Sequence, residues 1–98
     1  MDVAELEKNA ERASELLAAM ANPRRLMVLC KLVDGEKSVN MLAQSVGLSQ
    51  SALSQHLARM RDEGLVATRR EAQTVFYRIA DPNTRRILAL LKNIYCPE

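Results

Sequence analysis

A mainly α-helical domain carrying one β-hairpin is the fold class this sequence predicts, on three observations. Five stretches repeat apolar residues at spacings of three and four, the signature of a helix face. Helix boundaries are punctuated: Asn22-Pro23 and Asp81-Pro82 each set a cap before a first-turn proline, and glycines 35, 47 and 64 follow helix ends. The period changes once, between Leu65 and Ile79, where β-branched and aromatic residues largely alternate with polar ones. A chain of 98 residues has room for one domain and one core. With 3% aromatics and no Trp, that core is aliphatic, which suits packed helices.

Taken in order, residues 4–20 form an amphipathic helix with Leu6, Ala10, Ala13, Leu17 and Met20 on its apolar side. Asn22 caps a second helix, whose apolar set is Leu26, Met27, Leu29, Cys30 and Val33 and which ends at Asp34-Gly35. Ser38 caps a third over about 39–46, closed by Gly47, and Ser49 caps a fourth over about 50–63, closed by Gly64. Two strands follow, 65–70 and 74–79. No Asn-Gly pair joins them, so a loop longer than two residues, Glu71-Ala72-Gln73, is expected. Asp81-Pro82 then starts a final helix of about 83–95, with Ile87, Leu88, Leu91, Ile94 and Tyr95 on its apolar side and Pro97 as its stop. A helix-turn-helix at 39–63 followed by a hairpin at 65–79 is a winged helix-turn-helix, in the order α-α-α-α-β-β-α, within a single domain of residues 1–98. So small a core leaves the apolar faces of 1–20 and 83–96 uncovered, so these two helices are expected to pair across a two-fold axis in a homodimer.

The segment Ser38 to Gly64 carries the chemistry. In the fourth helix Ala52, Leu53, Leu57 and Met60 point inward by spacing, leaving Gln50, Ser51, Ser54, Gln55, Ala58 and Arg59 outward behind the cap Ser49. Gln bonds adenine through two edge atoms, Arg clamps guanine or phosphate, and Ser lets the helix approach closely. No Glu or Lys interrupts this face before Asp62, which sets it apart from an ordinary solvated helix surface. His56 is a further candidate for a phosphate. Arg69, Arg70 and Gln73 are placed together at the hairpin tip, where arginine enters a minor groove or grips its phosphates. Charge agrees: residues 1–15 hold five acids and two bases, and the rest hold twelve bases and seven acids. Double-stranded DNA is therefore the expected partner, and a homodimer sets two reading helices about 34 Å apart, one turn of the duplex. A protein-interaction module is the alternative within this fold.

Other classes are disfavoured. There is no convergent acid–base group and no Gly-rich phosphate loop, so no catalytic residue and no cofactor is assigned. No apolar run spans a bilayer and the acidic N-terminus lacks the order of a signal peptide, so a cytoplasmic protein without membrane contact is expected. Cys30 and Cys96 form no C-x-x-C and no disulfide framework.

On the segments Ala21-Asn-Pro-Arg-Arg-Leu26, Leu48-Ser-Gln-Ser-Ala-Leu-Ser-Gln-His-Leu57 and Arg61-Asp-Glu-Gly-Leu-Val66, nearly the whole chain resembles the ArsR/SmtB family of winged-helix repressors. The resemblance implies a dimer through the first and last helices and operator DNA released on a signal. Metal sites of the family do not carry over. Ser38 and Asn40 stand where thiolates open the third helix of arsenic and cadmium sensors. Zinc sensors use histidine on the last helix, whereas the single histidine here is His56. The pair Cys30 and Cys96, with the ending Asn93-Ile-Tyr-Cys-Pro97, is similar instead to the BigR/SqrR/YgaV/HlyU subgroup, which implies a repressor released by persulfide, polysulfide or oxidant through two cysteines. NolR-type relatives share the recognition helix without the pair. A redox-insensitive regulator, or one that displaces other proteins from DNA, is the alternative.

Overall fold

The computed structural model describes residues 1–96. Helices α1 (Val3–Met20) and α2 (Pro23–Leu32) lead through strand β1 (Lys37–Ser38) into α3 (Val39–Val46) and α4 (Gln50–Asp62); strands β2 (Val66–Glu71) and β3 (Thr74–Ile79) then lead to α5 (Pro82–Tyr95). The fold is a winged helix-turn-helix, with the boundaries set where the caps place them. Asn22 Oδ1 accepts from the backbone N–H groups of Arg24 (2.9 Å) and Arg25 (3.1 Å). Ser38, Ser49 and Asp81 each accept likewise at the starts of α3, α4 and α5. Gly47, at φ 68°, turns the chain between α3 and α4 in the left-handed region, where a side chain would strain the backbone. The Pro97 stop lies outside the described residues.

Leu29 and Leu32 of α2, Leu42 of α3, Leu53, Leu57 and Met60 of α4, Leu65, and Leu88 of α5 are fully or almost fully buried and form one core. Each contributes about 1.5–3 kcal/mol through burial. The inward face of α2 is Val28, Leu29 and Leu32, not the set read from spacing: Met27 and Cys30 are exposed, and Leu26 and Val33 are half-buried. An unbroken apolar run from Leu26 to Cys30 gives periodicity nothing to select on.

The sheet holds three strands in the order β1-β3-β2, where the sequence predicts two. β1 pairs antiparallel to β3 through Lys37↔Tyr77 and Ser38↔Phe76, a strand too short to display alternation. The wing turn is also tighter than expected. Glu71 pairs with Thr74, leaving only Ala72 and Gln73 between the strands. Ala72 supplies the positive φ (55°) usually given to Gly or Asn. Ala72→Gly is therefore expected to stabilise the protein by about 0.5–1 kcal/mol, since the left-handed conformation costs more with a Cβ. A thermal melt checks it, and an unchanged or lower Tm counts against the strained turn.

The link from α2 to α3 ties distant elements together. The Arg85 guanidinium of α5 donates to the Val33 carbonyl, Glu36 binds Arg69 of β2, and Ser38 both joins the sheet and caps α3. By contrast α1 buries only Ala19 and Met20 at its C-terminal end, with Leu16 partly buried. Val3, Leu6 and Leu17 on α1 and Leu90, Ile94 and Tyr95 on α5 are all more than half exposed. No helix among the described residues is long and apolar enough to cross a membrane.

Candidate functional site

A helix advances about 100° per residue, so Gln50, Ser54, Ala58, Ser51, Gln55 and Arg59 fall in that angular order over one half of α4. All six are exposed. Ala52, His56, Met60, Leu53 and Leu57 fill the other half. His56 is thus half-buried on the flank of the core, away from the row of predicted readers. Ser49 spends its oxygen on the cap, accepting from the Ala52 N–H at 3.2 Å, with Ser51 Oγ 3.3 Å away. Gln50 Nε2 donates to Asn40 Oδ1 of α3, which orients the first side chain of the exposed row. Arg59 remains 71% exposed and, among the described residues, its side chain pairs only with Glu63, at 3.8 Å.

The wing turn closes on the start of this helix. Gln73, Thr74 and Val75 share a shallow, mostly polar cleft of about 340 Å³ with Gln50 and Ser54 of α4 and with Ser38, Val39 and Asn40. Gln73 is therefore brought to the exposed face of α4. Arg70, exposed, lies one residue from the turn. Arg69 is not part of a tip cluster. Alternate residues of a strand point to opposite faces, so Arg69 and Arg70 diverge. Arg69 lies against Glu36, Glu71 and the Phe76 ring. Asn40 and Glu36 are partners that sequence reasoning missed. Both act across loops, and neither carries a local signal.

A second site lies between α2 and α5. Cys30 and Cys96 are free and exposed thiols that line one apolar recess of about 370 Å³, with Leu26, Lys31, Leu91, Lys92 and Tyr95 around them. Desolvation pushes the Cys30 thiol up, and the neighbouring Cys96 adds to this; Lys92 and Lys31 pull it down. The thiolate is the reactive form, so alkylation of Cys30 is expected to accelerate with pH and to reach half its maximum above the ordinary thiol pKa. Iodoacetamide labelling of a Cys96→Ser variant across pH measures it, and a midpoint below the ordinary value refutes it. Removing Lys92 slows labelling at neutral pH. No three His, Cys, Asp or Glu among the described residues are grouped to hold a metal ion.

A family model described as bacterial regulatory protein, arsR family, matches residues 22–68. The chain is 53% identical over 96 residues to the transcriptional activator HlyU of Vibrio cholerae, covering 98% of this chain and 89% of that protein. The structure of reduced HlyU from the same organism matches with a TM-score of 0.92 at 53% identity, over 96% of this chain and 99% of the other. The transcriptional repressor BigR from Xylella fastidiosa matches with a TM-score of 0.88 at 38% identity, over the full length of both chains. The regulatory signs in these names are opposite, one activator and one repressor.

Proposed function

The chain belongs to the arsR family of bacterial regulatory proteins, and from that premise we propose that it is a cytoplasmic, homodimeric repressor whose grip on operator DNA is released when reactive sulfur or an oxidant bridges Cys30 and Cys96. Gln50, Ser51, Ser54, Gln55 and Arg59 read the major groove, with Ser49 at the helix start. Arg70 and Gln73 hold the flanking backbone, and His56 contributes through packing. Two copies join through the exposed apolar residues of α1 and α5, which one chain leaves uncovered.

The observation that carries the sensing is that two thiols far apart in sequence open into one recess between α2 and α5. A Cys30 thiolate attacks the outer sulfur of a persulfide, R–S–SH, breaking its S–S bond to form Cys30–S–SH, with the proton kept on the transferred sulfur, and to release R–S⁻. The Cys96 thiolate then attacks the Cys30 sulfur and expels hydrosulfide, closing a disulfide. Further transfer before closure leaves extra sulfur atoms in the bridge, which span a wider gap than the roughly 7 Å between Cα atoms that a disulfide tolerates. Helix α2 packs on α3, α5 and β3. Tying it to α5 thus changes how the reading helix sits relative to the dimer axis, shifting population away from the DNA-competent state. The test is intact-protein mass after polysulfide treatment, read beside an operator shift assay. The reading requires an intramolecular cross-link, with or without whole added sulfur atoms, to appear together with loss of binding. Loss of binding without a cross-link refutes the bridge.

A further inference from the structure

Arg69 is the most heavily engaged cation in the described structure. Its Nε donates to both carboxylate oxygens of Glu36, at 2.9 and 2.8 Å, and one terminal nitrogen donates to Glu71 at 2.9 Å. Its guanidinium carbon stands 4.6 Å from the centroid of the Phe76 ring. Register explains the cluster. Arg69 pairs with Phe76, which pairs with Ser38, and Glu36 lies two residues before Ser38, so all of these share one face of the sheet. Val66, Tyr77 and Ile79, which contribute to the core, occupy the opposite face, so the Arg69 face is the outer one. The Glu36 carboxyl is held below the usual carboxylate range, chiefly by its hydrogen bonds to Arg69. Glu36 takes both Nε contacts, whereas Glu71, 68% exposed, takes a single one, so Glu36 is the partner that holds the guanidinium in place, and leaving it for DNA forfeits charge-assisted bonds.

We propose that Glu36 is a specificity-determining residue: it withholds Arg69 from the DNA backbone, which limits the sequence-independent part of binding. This rests on the DNA-binding reading above. Each wing then contributes phosphate contacts through Arg70 alone among its two tandem arginines. Specificity is a ratio of affinities, and one fewer phosphate contact lowers random-duplex binding without touching base readout.

The experiment compares wild type, Glu36→Ala, Arg69→Ala and the double variant on operator and random duplexes across a salt series. Both substituted side chains are at the surface, and thermal melts verify folding. Glu36→Ala is expected to strengthen random-duplex binding about fivefold and to steepen the slope of log affinity against log salt by about one per wing. Arg69→Ala alone leaves the slope unchanged, and the double variant loses the gain. A slope that falls by about one per wing in Arg69→Ala alone places Arg69 on phosphate already and overturns the proposal. A gain that persists in the double variant reduces Glu36 to general repulsion and overturns it too. Absence of salt-dependent binding in the wild type sinks the DNA reading itself, a result distinct from either of these.

Discussion

Cys30→Ser is expected to leave operator binding at its untreated level and to abolish its loss on polysulfide treatment. In the wild type that loss is expected to be about tenfold or more, within the 5–150-fold typical of coupling between two sites. Cys30 is exposed on α2 and makes no part of the α4 face, so a serine there disturbs neither the core nor the reading residues. It removes the nucleophile. Cys96→Ser separates the steps: Cys30 still gains sulfur, but no intramolecular bridge closes, and binding is retained. Electrophoretic shift with and without polysulfide decides. Equal loss of binding in Cys30→Ser and wild type means that the thiol recess is only a gap between two helices.

Ser54→Glu is expected to weaken operator binding by about 100-fold or more without unfolding the protein. Ser54 lies within the exposed row, next to Gln50, in the cleft under the wing turn. A carboxylate there meets phosphates and base acceptors at close range, and like-charge juxtaposition at an interface costs several kcal/mol, each 1.4 kcal/mol being tenfold. Helix stability is not the cause, because Glu is a better helix former than Ser and suits the first turns of a helix. Fluorescence anisotropy with labelled operator measures the loss, and a circular-dichroism melt matching wild type assigns it to the interface. An affinity within threefold of wild type would place the DNA elsewhere on the molecule.

Much of this architecture was legible because it is written in local chemistry. Ser38, Gly47, Ser49 and Gly64 bracket the two helices of the reading motif, and each acts on backbone groups within a few residues of itself. The outward row of α4 follows from helical pitch alone. What pitch and caps do not encode is contact across the chain. β1 exists because Lys37 and Ser38 meet Tyr77 and Phe76, and two residues have no readable period. Arg69 and Arg70 are neighbours along the chain, but strand alternation sends them to opposite faces and Glu36 captures one of them. The inward face of α2 is hidden from periodicity because Met27 and Cys30 are as apolar as Val28 and Leu32, and only the packed neighbours distinguish them. The resemblance implies that Cys30 and Cys96 act as a pair, but that they open into one recess is visible only in the fold, since no spacing rule connects α2 with the end of α5.

Helix α1 finds little of its own chain to lean on. Eighteen residues long, it anchors only its last turns. When the proposed twin supplies the missing support, the equilibrium is bimolecular and mass action governs it. The melting temperature should then climb with protein concentration, and amides in the first turns of α1 should exchange fastest on dilution. Copy number in the cell would become a second input beside the thiols: scarce chains fray first at α1, and with the pair goes the spacing of its two DNA-reading helices.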